Sequence, residues 1–459
     1  MKKINVKMAV MFFFLMSLLM AYCWAQNPEW RALWIDAWGV GYRTPAEVTQ
    51  LVNDAKNHNY NAVVIQVRKR GDCYYFPTYP NTEPRATDIA PDFDPLQDTI
   101  TKAHALGIEV HAWICTYLVA SSAPSNPNHV MNVHPEYLTE TNTGQQNLQE
   151  GYYIDPGHPG SNAWNYNVVM DLVSNYDIDG IHFDYLRYPQ LNSGYNSTAI
   201  ARFNAQTGGS GKPDSGNATF ITWRQNQILN WLRATYPDII SVAPNVKVTA
   251  AVIANEWWAV DNLLQNWPVM MSEKLLDAMC PMNYTNNNNR EFIPRADNTN
   301  AKKGQRHCYE GQGAYLNRKE NSVTQMKYAR SIGCEGIINY SYREPGKSCN
   351  TAQFLDYVLA NVYQQPASRP VMTWKTSPTA GYLAGKLTVA SSGAPIDNGT
   401  ITINGLGISK NSDGEGKYGF VYITPGTYSV TATASGYSPI TQNNVSISAG
   451  GVTTLNFQF

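Results

Sequence analysis

Short apolar stretches of strand type alternate with helical stretches along most of this chain of 459 residues. The apolar stretches are rich in β-branched and aromatic residues, and helix-start signals such as Thr44-Pro45 stand between them. Eight strand-then-helix units fall within about 340 residues, which predicts a (β/α)8 barrel. A doubly wound open sheet is the alternative, but no glycine-rich phosphate turn follows the first strand. The predicted strands are 31–38, 61–68, 108–117, the start of 178–189, 246–253, 278–284, 306–311 and 335–342, and the clearest helices are 44–58, 95–105, 162–176, 220–236, 322–331 and 351–363.

The fourth predicted strand, in 178–189, ends on a carboxylate. Side chains alternate along a strand, so His182 and Asp184 share one face and Phe183 lies on the other. In a (β/α)8 barrel, an acid at the carboxyl end of a strand occupies the usual place of catalysis. A buried His and Asp held by hydrogen bonds is the structural alternative, and this stretch alone does not decide between the two.

The same alternation places polar groups on the inward face near the ends of four neighbouring strands. Such groups are unfavourable when buried without partners, so they either form a polar plug or face a ligand, and the ligand site is the favoured interpretation. The inward residues of the first four strands are Trp34 and Asp36, Gln66 and Arg68, His111 and Trp113, and His182 and Asp184. The later strands add Asn283, Tyr284, Glu310 and Tyr340, with Arg187, Glu256-Trp257-Trp258 and Arg343-Glu344 beyond strand ends.

Tryptophan, tyrosine and carboxylate side chains around one barrel mouth suit a sugar, because aromatic rings stack on its apolar face and carboxylates accept hydrogen bonds from its hydroxyl groups. Glycoside hydrolysis generally requires two carboxyl groups, one on each side of the bond. We expect Asp184 to be the first of them. The candidates for the second are Glu256, which two tryptophans follow, and Glu310, then Asp36 and Glu344. Any of these acids could instead neutralise Arg68 or Arg187.

Composition argues against other classes of function. The net charge of -1 gives no basic excess for nucleic acid. The cysteines lack metal-type CxxC spacing, the histidines form no HExxH motif, and there is no GxSxG elbow. We therefore expect no metal or other cofactor, and a glycan as the partner.

The N-terminus has the pattern of a secretory signal peptide. Lys2 and Lys3 precede an apolar run over 8–21, and Ala25 ends a small-residue cleavage pattern, which predicts a signal peptide over 1–25. The run is shorter than the roughly 20 residues that span a bilayer, so we expect a secreted or periplasmic protein without a transmembrane segment in the mature chain. The predicted domains are a barrel over 27–365, a proline-containing linker over 366–380, and a small β-sandwich of alternating strands over 381–459.

Several motifs in order resemble the family-10 glycosyl-hydrolase-like proteins of bacteria, which are exported or lipid-anchored (β/α)8 enzymes acting on glycans. The segments that carry the resemblance are 66–75 (QVRKRGDCYY), 93–96 (FDPL), 104–113 (HALGIEVHAW), 153–157 (YIDPG) and 179–185 (DGIHFDY). The resemblance covers about residues 29–363. It implies that Asp184 is the central catalytic carboxylate and that Arg68, His111, Asp155 and His182 line the site. The family often has a second Asp after the first, where this chain has Tyr185.

The tail resembles carboxypeptidase-regulatory-like modules, which are transthyretin-like sandwiches, in its segments 416–420, 425–430 and 434–437. A stabilising module without a ligand is the favoured interpretation. For the whole chain we expect an exported glycoside hydrolase that cleaves O-glycosidic bonds in a bacterial or environmental glycan. Peptidoglycan glycan strands stripped of peptide are one candidate substrate. The alternatives are a glycan-binding barrel without catalysis and a metal-dependent hydrolase of the polysaccharide deacetylase type.

Overall fold

The computed structural model describes residues 27–78 and 83–459, so the predicted signal peptide over 1–25 lies outside the described residues. Eight parallel strands form a closed barrel in which each strand pairs with its neighbours in sequence and the eighth pairs with the first. The predicted (β/α)8 fold is therefore confirmed. The barrel strands are β1 (Trp30–Ile35), β2 (Ala62–Arg68), β3 (Glu109–Cys115), β4 (Gly180–Asp184), β5 (Lys247–Ile253), β6 (Ala278–Asn283), β7 (His307–Gly313) and β8 (Gly336–Tyr340).

Two apolar layers hold the barrel. Side chains such as Trp34 and Val64 point inward and fill the barrel together with Tyr309 of β7. The alternate residues, such as Leu33 and Val63, pack outward against the surrounding helices in the main core. This is the alternation expected for strands buried on both faces.

Helices follow the strands and cover the barrel. The first has the predicted cap, because the Thr44 hydroxyl accepts from the Glu47 amide at 3.2 Å. Glu47, three residues after Thr44, is at the position from which a capping box would form, but its carboxylate accepts from the amides of Gly41 and Arg43 instead. None of the helices within the described residues has the length and apolarity needed to cross a membrane. The barrel-domain helices are Pro45–Asn57, Pro95–Ala105, Val130–Val133, Pro159–Asn175, Ser197–Thr207, Ala218–Val242, Trp267–Ser272, Ile293–Lys302, Lys319–Ser331 and Thr351–Asn361, with shorter helical turns at Pro135–Tyr137, Trp258–Asn262, Asn288–Phe292 and Ala314–Leu316.

The predicted linker is a folded part of the barrel domain. It contains the short helix Thr373–Thr376 and closes the end of the barrel where the strands begin. Trp374 donates to Asp277 at 2.7 Å, and the Lys375 ammonium lies 3.0 Å from the same carboxylate. Met372 is buried against the interior of the barrel. This end is therefore sealed, and the opposite end is left for a ligand.

The C-terminal domain is a small sandwich of two sheets. In one sheet the strand order is β12-β9-β15, and β16 also pairs with β9. In the other sheet the strand order is β11-β10-β13-β14. β15 and β16 run parallel to β9, whereas the other pairs are antiparallel. The strands are β9 (Gly381–Thr388), β10 (Thr400–Ile403), β11 (Ile408–Asn411), β12 (Lys417–Ile423), β13 (Gly426–Thr433), β14 (Ile440–Ile447), β15 (Val452–Thr454) and β16 (Phe457–Gln458).

The sandwich is fixed against the barrel domain by charged contacts. Arg202 donates two hydrogen bonds of 2.8 Å to Asp397 of the sandwich. Glu273 binds both Arg233 of the long helix Ala218–Val242 and Lys410 of β11. The two domains therefore share one interface built on the helices around the barrel.

Candidate active site

A cavity of about 380 Å³ opens where the barrel strands end, and we call it the central pocket. Its volume is in the range of small-ligand sites. Four charged side chains face it: Arg70, Glu150, Asp184 and Arg187. Its aromatic wall includes Trp34, Trp38, Trp113, Tyr284, Tyr315 and Tyr340.

Asp184 is the last residue of β4 and is 5% exposed at the edge of the central pocket. One carboxylate oxygen accepts from the amide of Tyr185 at 2.7 Å, and the other accepts from the indole of Trp113 at 3.2 Å. Burial raises the pKa of this carboxyl to about 6, although the nearby charge of Arg187 acts in the opposite direction. A carboxyl group with this pKa can hold a proton and release it near neutral pH, as a general acid must.

Glu150 is the second carboxylate of the central pocket, and it comes from the long loop after β3. Arg187 donates to its two oxygens at 2.8 and 3.0 Å, and the Tyr153 hydroxyl donates at 2.5 Å. Burial alone raises the pKa of Glu150, but these hydrogen bonds and the Arg187 charge outweigh burial and hold it below the usual value. The pocket thus contains one carboxyl group whose pKa is raised and one whose pKa is lowered.

The backbone is strained next to Asp184. Tyr185 has φ of +50°, which is rare for a residue with a side chain and costs roughly 1–3 kcal/mol. The guanidinium groups of Arg70 and Arg187 lie 5.3 and 4.6 Å from the Tyr185 ring centre. Such strain concentrates at functional sites, and here it directs the Tyr185 ring towards two cations of the central pocket.

His182 lies below the pocket. Its Nε2 accepts from the Trp34 indole at 3.1 Å, and its Nδ1 lies 2.9 Å from the hydroxyl of Thr249. Burial lowers the pKa of His182 to about 3, so the ring is neutral at ordinary pH. The structure therefore gives His182 a role in positioning Trp34, and the expectation that it contacts the ligand directly is wrong.

Arg68 does not face the central pocket, contrary to the sequence prediction. It is fully buried, forms an ion pair with Glu83, and donates to the carbonyl oxygens of Cys115 and Thr116 at 2.6 and 2.8 Å. The register between β2 and β3 shifts between Gln66 and Arg68, so the simple alternation fails there. Gln66, before the shift, does line the pocket.

Glu310 and Asn283 were also expected at the mouth, and both lie on the outer face of the barrel. Asn283 donates to Glu310 at 2.9 Å, and the Thr299 hydroxyl of the helix Ile293–Lys302 donates to the same carboxylate at 3.3 Å. Burial raises the pKa of Glu310 to about 8. A neutral, fully buried glutamic acid behind the wall cannot reach a substrate, so Glu310 as second catalytic acid is wrong.

Three further predicted site residues are buried outside the lining of the central pocket. His111 lies deep in the barrel near the strand starts, with its ring 5.2 Å from that of Trp30. Asp155 holds its own loop by accepting from Thr139 and from the amide of Gly157. Asp36 accepts from Arg343 at 2.5 Å. These contacts are structural, and the expectation that these residues contact substrate is not supported.

Glu256 lies in a separate groove beside the pocket. Asn298 donates to its carboxylate at 2.8 Å, and Lys302 forms an ion pair with it. It shares no lining with Asp184. Of the residues predicted for the site, the central pocket therefore brings together seven: Trp34, Gln66, Trp113, Asp184, Arg187, Tyr284 and Tyr340.

Sequence reasoning missed Glu150 and Arg70. Glu150 lies in a loop of more than thirty residues without periodicity, folded back by a hairpin of Leu118–Ala120 with Tyr152–Tyr153. The only available signal was the length of that loop, which is typical of functional segments. Arg70 follows β2 in a basic turn whose direction depends on the register shift before it.

A family model for glycosyl hydrolase-like 10 proteins matches residues 29–328. This chain belongs to the glycosyl hydrolase-like 10 family. A model for the carboxypeptidase regulatory-like domain matches residues 383–459, as the sequence of the tail predicted. Among curated relatives, glycosyl hydrolase YngK of Bacillus subtilis is 23% identical over 368 residues, which cover 72% of this chain and 68% of YngK. Glycosyl hydrolase DigH of Escherichia coli is 26% identical over 170 residues, which cover 34% of this chain and 35% of DigH.

Solved structures share the barrel fold of this family member. The glycoside hydrolase domain of PgaB (BpsB) from Bordetella bronchiseptica superposes with a TM-score of 0.55 at 16% identity, over 72% of this chain and 99% of that domain. The α-L-fucosidase isoenzyme 2 of Paenibacillus thiaminolyticus gives 0.54 at 14% identity, over 80% of this chain and 53% of the fucosidase. At sequence identities this low, the similarity to these two structures shows a shared fold and nothing further.

Within residues 27–78 and 83–459, one group of potential metal ligands is clustered: Cys308, Glu310 and Cys334. Their ligand atoms lie within 4.8 Å of one another and all three residues are buried. Cys308 and Glu310 share the outward face of β7, so this cluster belongs to the layer behind the barrel wall. The central pocket of this glycosyl hydrolase-like 10 protein is lined instead by carboxylates, guanidinium groups and aromatic rings.

Proposed function

We propose that this protein is an exported glycoside hydrolase that cleaves O-glycosidic bonds at the central pocket. One observation carries the proposal: a protonatable Asp184 and an ionised Glu150 line the same aromatic pocket. Two carboxyl groups in opposite protonation states are what glycoside hydrolysis requires. Membership of a glycosyl hydrolase-like family supports the reaction class.

The proposed reaction uses the two groups in turn. Asp184 gives its proton to the glycosidic oxygen as the bond to the anomeric carbon breaks, and the leaving sugar departs as an alcohol. Glu150 removes a proton from the attacking water, or first bonds to the anomeric carbon and is then released by water. Arg187 fixes the Glu150 carboxylate, and the aromatic wall stacks on the sugar ring.

The proposal includes export to the cell envelope, which the N-terminal sequence pattern supports. Peptide-free peptidoglycan glycan strands are the first substrate to test among several. A glycan-binding protein without catalysis is the second candidate. It is favoured by the paired hydrogen bonds from Arg187 to Glu150, because they weaken the carboxylate as a base or nucleophile.

The test is a glycan panel: peptide-free peptidoglycan strands, chitin oligosaccharides, xylan and β-glucans, with products separated by chromatography and identified by mass. We expect the parent to cleave at least one of them, and Asp184→Asn to bind that glycan without cleaving it. Asp413→Asn is the matched control, because burial also raises the pKa of Asp413 to about 6, yet Asp413 lies in the sandwich. Binding without cleavage in the parent would support the binding protein and refute the hydrolase.

A further inference from the structure

Exposed tryptophans concentrate at one end of the barrel. In the described part of the chain, Trp38, Trp257 and Trp258 are 48%, 63% and 44% exposed, and every other described tryptophan is buried or half-buried. All three lie just after the ends of barrel strands, at the end that contains the central pocket. Large exposed aromatic surface is unfavourable in water, so its concentration around a pocket indicates a binding surface that extends beyond the pocket.

On one side the central pocket continues into a groove of about 330 Å³, which we call the Trp38 groove. It is built by the loops that follow β1, β2 and β3. Trp38 and Arg70 line both the groove and the pocket, so the two are continuous. The Lys69 ammonium and the Arg70 guanidinium lie 4.8 and 5.2 Å from the Trp38 ring centre and hold that ring in place.

On the other side lies a groove of about 630 Å³, which we call the Trp257 groove. It is built by the loops that follow β5 and β6. Ile253 lines the central pocket and the next residue, Ala254, lines this groove. Beside Trp257, the Glu256 carboxylate is fixed by Asn298. An aromatic face next to a fixed carboxylate provides stacking and a hydroxyl acceptor, which are the two contacts that a sugar ring needs.

The topology places these grooves across the mouth from each other. In the closed ring of eight strands, β1, which precedes Trp38, and β5, which precedes Trp257, have three strands between them in either direction, so they lie on opposite sides. A line from Trp38 to Trp257 therefore crosses the central pocket, with Asp184 between its ends.

We propose that the Trp38 groove, the central pocket and the Trp257 groove form one cleft, which binds a glycan chain of several sugars across the barrel mouth. Trp38 and Trp257 are its outer stacking platforms, and the bond that is cleaved lies inside the chain. This inference rests on the glycosidase function proposed above and adds the substrate class, a polysaccharide cut internally.

Calorimetry on the full-length mature chain tests the cleft, with peptide-free peptidoglycan fragments and chitin oligosaccharides as probes, each as a disaccharide and an octasaccharide. We expect the octasaccharide to bind at least tenfold more tightly than the disaccharide. Trp257→Ala should weaken octasaccharide binding about tenfold, or ~1.4 kcal/mol, and leave disaccharide binding unchanged. Trp38→Ala should weaken octasaccharide binding by at least as much, and it should also weaken disaccharide binding, because Trp38 lines the central pocket as well as its groove. Tyr437→Ala is the matched control, because Tyr437 is 42% exposed on the sandwich, and it should change neither affinity.

Product sizes over time supply the second measurement. We expect the parent to release internal fragments of many lengths from the first minutes. Equal affinity for both chain lengths, or release of only a terminal sugar or disaccharide, would overturn the cleft even if the protein hydrolyses glycans. The parent could also bind the longer glycan more tightly, lose that preference in both tryptophan variants, and yet cleave nothing. That result would support the proposed cleft and refute the proposed hydrolase activity. If the parent binds none of the probes, both the proposed cleft and the proposed hydrolase activity are refuted.

Discussion

Replacing Asp184 by Asn should make the stability of the protein respond differently to pH. The pKa of Asp184 rises from 3.8 to about 6 because the carboxyl is buried, a change of ~3 kcal/mol between its two protonation states at 1.36 kcal/mol per pKa unit. The folded state thus binds this proton more tightly than the unfolded state, so ionisation destabilises the fold. The penalty is absent below pH 3.8 and complete above about pH 6, the pKa of the folded state. Asparagine stays neutral, and the stability of the variant relative to the parent should therefore rise by about 2 kcal/mol between pH 4 and pH 7.

Urea unfolding followed by tryptophan fluorescence at pH 4 and pH 7 measures this difference. The variant also keeps only one acceptor oxygen for the Trp113 indole and the Tyr185 amide, and the lost hydrogen bond costs roughly 1 kcal/mol at both pH values and therefore cancels in the comparison. Asp413→Asn should show a similar pH response, because burial raises the pKa of Asp413 to about 6, while activity is retained. If Asp413→Asn responds to pH and Asp184→Asn does not, the assignment of Asp184 as a buried, proton-retaining carboxyl is refuted.

Three further predictions concern the site and its support. The kcat/KM for a cleaved glycan should fall above about pH 6 as Asp184 loses its proton, and a profile that stays flat to pH 8 would exclude Asp184 as the acid. Glu150→Gln should lower kcat by about 10²-fold or more, whereas Glu256→Gln should leave kcat on short glycans unchanged, both measured at saturating substrate. Arg68→Met should destabilise the fold by about 3 kcal/mol in urea unfolding, because it leaves Glu83 buried without its partner, and the double variant with Glu83→Gln should recover part of that loss.

The barrel could be predicted from sequence because its strands are buried on both faces and read as continuous apolar runs. The strand β2 was expected over 61–68 and spans Ala62–Arg68, and the helix Pro95–Ala105 has its predicted bounds. The N-terminal proline and the residues that end this helix act locally, so a local pattern suffices to find it. The sandwich was found in the same way, from alternating strands separated by turns.

The direction of strand-end side chains was harder to predict. An error of one residue in the assumed alternation assigns every side chain of the strand to the wrong face. On β6, Ala278, Cys280 and Met282 point inward, so Asn283 faces the outer layer, and the aromatic ring that lines the pocket belongs to Tyr284. The error at Arg68 has another cause, since a register shift between two strands depends on the partner strand and leaves no mark in the local pattern. Glu150 depends on the path of a long loop, which is fixed by contacts distant in sequence, such as its hydrogen bonds with Arg187.

Inside the barrel, the depth of a polar residue decides its role. Near the strand starts, the Glu109 carboxylate forms an ion pair with Lys247 and lies beside the His111 ring. One level higher, His182 stays neutral down to about pH 3 because burial disfavours its charged form. Throughout the pH range in which Asp184 titrates, His182 therefore contributes no positive charge, and the cations that lower the pKa of Asp184 are those of the mouth, chiefly Arg187. A charged histidine at that depth would lower the pKa of Asp184, so that Asp184 would lose its proton below pH 6. The neutrality of His182 is thus a condition for Asp184 to act as an acid, although His182 itself does not line the pocket.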